Sequence, residues 1–346
     1  MKYRLLGQNT GLAVSELVLG TARMGKSASG QSNANEARMI LQHFHAAGGN
    51  FIDTSSAYQG GQSETFLGDF LAGHRRDEFV IASKYCRTAE ATPAIATHGN
   101  HRKSLKIEVE GSLKRLKTDY IDVYFVHFDD GITPIDEIMR GLDDLVRAGK
   151  ILYVGLSNMP VWRVASAFML AKSAGLIPPS VMQMQYNLAE RAIEREYLPF
   201  AKASGMAMMA WSPLFGGVLA KDMADLGDVA GAGSRQSNPH NHNHHNNAHL
   251  VPALEKLAEM AGRLHKSRAE IALAWLLAKG TFPVLGPRTL DQLNGCLSAG
   301  DVVLSDDDLA SLDQAFAFQA GYPYDLLDKT CQAAGYRRLA LNGPVL

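Results

Sequence analysis

The chain has 346 residues, 46% of them hydrophobic and 20% charged, the profile of a globular protein with material for a large core. Lys+Arg 34 against Asp+Glu 35 leaves a formal charge of −1, so no global field favours nucleic acid or an anionic membrane. No apolar run reaches the roughly eighteen residues of a membrane span, MKYRLLGQNTG lacks a signal-peptide core, and Cys86, Cys296 and Cys331 share no metal-ligand spacing; a reduced, cytoplasmic setting is expected.

In chain order, residues 2–14 predict a small hairpin turning around Gly7–Gly11. Short apolar runs then fall at Leu17–Thr21, Phe51–Asp53, Phe79–Lys84, Ile121–His127, Ile151–Ser157, Val181–Gln185, Met206–Trp211 and Phe282–Leu285. Helical repeats lie between them. Ala37, Ile40, Leu41, Phe44 and His45 form one stripe, Leu105, Val109, Leu113 and Leu116 a second, and Ile135, Ile138, Leu142 and Leu145 a third. Apolar strands alternating with helices predict an α/β fold with a parallel sheet closed on itself, a (β/α)8 TIM barrel taking residues 1–346 as one domain. The alternative is an open doubly wound sheet, but Gly20 leads into TARMG and not into a G-x-G-x-x-G turn.

Two segments break the rhythm. Residues 213–249 form a long connection after the seventh barrel strand, ending in the tract SNPHNHNHHNNAH with His240, His242, His244, His245 and His249. Imidazoles can capture a metal, but no carboxylate or cysteine shapes a site here; the tract reads as a solvated loop and no metal is expected. The tail, residues 319–346, is expected to lie over one barrel mouth.

In such a barrel, chemistry sits at the carboxyl ends of the strands and in the loops after them. Asp53, Lys84 and His127 end the second, third and fourth barrel strands, and Tyr58 lies in the loop after the second. Alone, each has an ordinary reading: a turn cap, a surface lysine, a core histidine, a packing tyrosine. On successive strands they converge on one rim.

The ordered segments YRLLGQNTGLAVSELVLGTARMG, FIDTSSAYQGGQSETFLG, FVIASK, DYIDVYFVH, GKILYVGLSN, MQMQYN, AWSPLFGGVL and PVLGPRTLDQL resemble the aldo-keto reductases over nearly the whole chain. The resemblance implies a catalytic tetrad of Asp53, Tyr58, Lys84 and His127, and reversible hydride transfer between a nicotinamide dinucleotide, NADPH before NADH, and an aldehyde or ketone. Tyr58 would be the general acid, with Lys84 expected to lower its pKa, Asp53 to hold Lys84, and His127 to donate to the carbonyl. It further implies that Thr21 and Asp53 border the cofactor, that Ser157, Asn158 and Gln183 hold its carboxamide, and that Trp211 stacks on the nicotinamide. Ser212, Pro213, Leu214 and Gly217 would follow the pyrophosphate, and Gly286, Arg288 and Gln292 the adenosine end, near a helix amino terminus capped by Thr289. Two features depart from the family pattern: Gly295 and Cys296 stand where a Glu-Asn pair commonly touches adenine, and Phe128 gives the substrate pocket an apolar wall. A rival function on the same fold is a redox-sensing NADP(H)-binding subunit, like the potassium-channel β subunits. The expected partner is a small carbonyl or alcohol substrate, with no nucleic acid and no membrane.

Overall fold

Val18–Gly20 (β3), Phe51–Asp53 (β4), Val80–Tyr85 (β5), Ile121–Val126 (β6), Ile151–Ser157 (β7), Val181–Gln185 (β8), Ala207–Trp211 (β9) and Phe282–Leu285 (β10) form a closed parallel barrel in the computed structural model, which describes residues 1–25, 34–90, 92–221 and 247–333. Closure is made by β10 against β3, pairing Val284 with Val18 and Leu285 with Leu19. Every strand falls on a predicted apolar run. At the ends, Leu17, Thr21, Phe79, His127 and Met206 lie just outside the ladder, while Tyr85 extends β5 one residue past Lys84.

Tyr3–Leu5 (β1) and Ala13–Ser15 (β2) pair antiparallel as the predicted hairpin. Its Leu6 and Val14 join Val18, Phe51, Val123, Phe125 and Met209 in the cluster filling the barrel, so the hairpin closes the amino-terminal end. The turn fits because Gly7 is glycine: φ is 81°, and a Cβ there would stand 2.7 Å from the Gly205 carbonyl oxygen.

The larger apolar cluster lies between the strands and the surrounding helices. Helix Ala34–Ala46 (α1) buries Ala37, Ile40, Leu41 and Phe44; His45 is only half-buried and faces Glu78 at 3.6 Å. Gln62–Leu71 (α2) and Arg102–Leu116 (α3) follow, the latter burying Leu105, Val109, Leu113 and Leu116. Then come Ile135–Arg147 (α4), Val161–Ala174 (α5) and Tyr197–Ser204 (α6). Two helices, Val251–Leu264 and Arg268–Ala278, precede β10; Leu290–Leu297, Asp306–Ala315 and Tyr324–Ala333 follow it. Among the described residues, no helix is long and apolar enough to cross a membrane.

The long connection begins as a 3-10 turn, Phe215–Ala220, and His249 lies in another, Asn247–Leu250. His240, His242, His244 and His245 lie outside the described residues. In the tail, the Tyr324 hydroxyl donates to Glu196 Oε1 at 3.0 Å, just before α6. Because α6 starts where β8 has ended, this contact lies on the carboxyl side of the barrel. Residues 334–346 lie outside the described residues.

Candidate active site

Phe51 and Ile52 are fully buried, so the third residue of β4 carries its carboxylate to the barrel's carboxyl rim. Asp53 Oδ2 accepts from Lys84 Nζ at 2.6 Å, and Oδ1 accepts from Gln183 Nε2 at 2.8 Å. Gln183 belongs to β8, which is not a neighbour of β4, so this second bond crosses the barrel interior. Lys84 is wholly buried and divides its donors among Asp53, the Thr54 carbonyl at 2.9 Å and the Tyr58 phenolic oxygen at 3.2 Å. A buried ammonium is tolerable only with such partners.

Tyr58 is delivered by an unusual piece of backbone. Thr54, Ser55 and Ser56 are buried, and Gln59, Gly60 and Gly61 all take left-handed φ values of 52°, 61° and 86°. The adjacent glycines let this turn form at little steric cost and bring Gly61 to the start of α2. One support was not anticipated from sequence. Glu64, fully buried in the first turn of α2, accepts from Ser83 Oγ at 2.5 Å and from Arg115 Nε at 2.7 Å. It ties α2 to β5 and α3 and so fixes the loop that carries Tyr58; its only sequence signal is a carboxylate on an otherwise apolar helix face.

His127 follows β6 directly. Its Nδ1 lies 3.2 Å from Ser55 Oγ, and its ring meets Tyr58 edge-on, with centroids 5.7 Å apart at 83°. Phe128 stacks on the other side at 4.4 Å. The four sequence-predicted residues Asp53, Tyr58, Lys84 and His127 therefore meet at one rim. Across that rim, Trp211 Nε1 donates to Asn158 Oδ1 at 3.0 Å, which fixes the half-buried indole in plane. Asn158 Nδ2 donates in turn to the His127 carbonyl and to Ser157 Oγ, both at 2.9 Å.

The sequence model of the Aldo/keto reductase family matches residues 16–317. The chain belongs to the aldo-keto reductase family. It is similar to a norsolorinic acid reductase of Aspergillus flavus, 35% identical over 95% of this chain and 84% of the relative. It is also similar to an aryl-alcohol dehydrogenase [NADP(+)] of Phanerodontia chrysosporium, 34% identical over 93% of this chain and 88% of the relative. Norsolorinic acid reductase B of Dothistroma septosporum matches at 34% identity, over 99% of this chain and 88% of the relative. This aldo-keto reductase is an NAD(P)H-dependent oxidoreductase acting on carbonyl and alcohol groups.

The electrostatics of its rim correct one expectation. Burial pulls Lys84 down, but Asp53 and Tyr58 outweigh it and hold the ammonium above its usual range. Burial pushes the Tyr58 phenol up; Lys84 pulls it down, Asp53 adds to the rise, and the net result lies above the ordinary value of 10.0. Lys84 was expected to leave Tyr58 with a lowered pKa. Lys84 does pull the phenol down, but burial, with Asp53 adding to it, outweighs that pull and leaves the net shift upward.

The remaining expected cofactor residues of this aldo-keto reductase are arranged as follows. Thr21 is fully buried, and its hydroxyl donates to the Asp53 carbonyl at 3.1 Å, a brace for β4. After Trp211, the chain turns tightly: Ser212 and Phe215 have φ values of 55° and 50°, and Gly216 and Gly217 of 66° and 98°. The N–H groups of Phe215, Gly216 and Gly217 are spent inside this turn, on Ser212 O, Ser212 Oγ and Leu214 O, with Pro213 offering none. Beyond β10, Thr289 caps helix Leu290–Leu297 by accepting from Gln292 N, while Gln292 Oε1 accepts from Arg288 N at 2.9 Å. Gly286 is exposed, and a Cβ there would meet nothing within 4 Å. Of the pair at the adenine end, Cys296 is buried with its thiol pushed up to about 12, whereas a Cβ at Gly295 would face open space. A cavity of about 170 Å³ lies alongside, lined by Glu36, Met39, Thr289, Leu290 and Asp291.

Proposed function

We propose that this aldo-keto reductase is an NADPH-dependent carbonyl reductase in which Tyr58 is the general acid. The observation that carries the reading is the Lys84 ammonium donating to both Asp53 and the Tyr58 oxygen. With its oxygen accepting from Lys84, the phenol keeps its own proton for a substrate oxygen. The raised pKa of Tyr58 keeps that proton in place at neutral pH, and Lys84 stabilises the phenolate left after transfer. His127, braced by Ser55 through Nδ1, would donate from Nε2 to the carbonyl and stabilise charge developing on its oxygen. The dinucleotide, when bound, supplies the hydride. Oxidation of an alcohol is the same path reversed.

Several features of the chain fit that cofactor. The Trp211 indole is locked in plane as a stacking surface, Gly217 and Gly286 have open space where their Cβ atoms would be, and Arg288 stands beside a capped helix start, where phosphate is favoured. Gln183 Nε2 is committed to Asp53, so a carboxamide contact falls to its Oε1. Asn158 makes three side-chain bonds within the protein, which makes it first of all the residue that orients Trp211. Relatives named for aryl alcohols and for norsolorinic acid, together with the Phe128 wall, support an aromatic carbonyl or alcohol as substrate.

NADPH consumption measured against aliphatic and aromatic aldehydes, ketones, sugars and keto-steroids tests the reading. Turnover with none of them, despite tight NADPH binding, would transfer the chain to the redox-sensing binding role. The pH profile is a second check. A phenol with a raised pKa holds its proton below that value and loses it as pH rises through it, so kcat for reduction should remain level through neutrality and fall only above about pH 10. A fall near pH 7–8 would exclude Tyr58 as the group that titrates. For cofactor choice, Arg288→Ala should weaken NADPH by roughly ten- to a hundredfold, the worth of a charged hydrogen bond, and NADH only slightly. Equal loss for both, read by fluorescence titration, would remove the 2′-phosphate from Arg288.

A further inference from the structure

The loop after β8 holds a side chain that neither the tetrad nor the expected cofactor contacts use. The β8–β9 ladder ends at the pair Gln185 and Trp211, and beyond it Tyr186 N still donates to the Trp211 carbonyl at a long 3.4 Å. Asn187, fully buried, then adds one more rung from its side chain: Nδ2 donates to the Ser212 carbonyl at 2.9 Å. The amide faces that way because its oxygen is engaged at the other end, Oδ1 accepting from Ala189 N at 2.9 Å and from Glu190 N at 2.8 Å. The Ser212 carbonyl is therefore claimed twice, by Phe215 N inside its own turn at 2.9 Å and by Asn187 from the neighbouring loop. Ser212 needs that hold. Its φ of 55° opens a turn in which Phe215 is also left-handed, and such backbone persists only where the surroundings fix it. The loop that gives the bond is itself anchored. The Tyr186 hydroxyl donates to Glu194 at 2.7 Å, and Arg191 grips Glu194 at 2.8 and 2.9 Å and the Phe316 carbonyl, just past helix Asp306–Ala315, at 3.0 Å.

We propose that Asn187 is a positioning residue for the dinucleotide: by holding the Ser212 carbonyl from the β8 loop, it fixes the Ser212–Gly217 turn in the shape that receives the cofactor's pyrophosphate. This deepens the reductase reading and rests on it. Asn158 holds the Trp211 indole from the β7 side, and Asn187 holds the backbone that follows it from the β8 side, so ring and turn are set by separate amides. The residue type matters. Aspartate or serine could accept from Ala189 N and Glu190 N and keep the β8 loop closed. Neither could donate to Ser212, since a serine side chain stops one atom short of the Nδ2 position and a carboxylate has no proton. The bond to Ser212 is what asparagine adds to that closure.

The test uses the whole chain as wild type, Asn187→Ser and Asn187→Asp. In the cofactor-free proteins, hydrogen exchange over residues 212–220 should quicken in both variants while β6 and β7 keep their protection, because only the turn has lost an anchor. Fluorescence titration should show NADPH and NADH weakened alike, since both carry the pyrophosphate. The loss should be roughly two- to tenfold in Asn187→Ser, the size of one net hydrogen bond, and larger in Asn187→Asp, whose carboxylate faces a carbonyl oxygen. That excess should shrink between about pH 8 and about pH 5, because a protonated carboxyl can donate again, whereas the Asn187→Ser defect should stay level. Unchanged exchange in the turn, unchanged affinity for both dinucleotides, or an Asn187→Asp loss indifferent to pH overturns the proposal and leaves the reductase reading standing. Wild type that binds neither dinucleotide overturns both.

Discussion

Tyr58→Phe should lower kcat by about 10²–10⁴-fold while leaving NADPH binding within a few-fold of wild type. The substitution removes one oxygen from a ring held edge-on by His127, and Lys84 keeps its bonds to Asp53 and the Thr54 carbonyl. No buried charge is stranded, so the variant should fold with nearly unchanged stability. The lost rate is then the lost proton donor. Steady-state turnover and a fluorescence titration of the cofactor, on the same preparation, separate the two effects. Turnover within a factor of a few of wild type would place the acid elsewhere.

Lys84→Met is the second large effect, and its signature is different. Removing the ammonium leaves Asp53, only 2% exposed, with Gln183 as its remaining side-chain partner. A buried carboxylate stripped of its cation costs about 3–5 kcal/mol, so urea unfolding should shift strongly and activity should collapse because the Tyr58 oxygen loses its donor. Adding Asp53→Asn to Lys84→Met removes the stranded charge and should recover much of the stability without recovering turnover. If Lys84→Met alone unfolds like a neutral surface variant, the ion pair is not held in the low-dielectric interior as described.

Much of this was legible in the sequence because the barrel strands are buried on both faces. Each is a short, mostly apolar run, and the structure moves their ends by at most a single residue. The rule that chemistry collects at strand ends then placed Asp53, Lys84 and His127 together, and the adjacent glycines of Gly60 and Gly61 marked the turn that presents Tyr58. What escaped depends on closure and on burial. The bond from Gln183 to Asp53 spans 130 positions and exists only because the sheet curls until β8 faces β4. The direction of the Tyr58 shift escaped for a related reason: sequence reveals a cation nearby but not how little water surrounds the phenol. Asn158 was legible as a residue of the rim, but its commitment to Trp211 and the His127 carbonyl was not. Glu64 was invisible as a brace, since its partners come from two other units of the barrel.

The β1–β2 hairpin has a kinetic consequence. With Leu6 and Val14 seated among the lowest side chains of the barrel, the amino-terminal end is stoppered. Cofactor and substrate must therefore share one doorway at the opposite end. If the nicotinamide lies deepest, against Trp211, a substrate standing over it blocks its exit, and the two partners must queue. The dinucleotide arrives first and departs last, so product inhibition by NADP⁺ should be competitive with NADPH and non-competitive with the aldehyde.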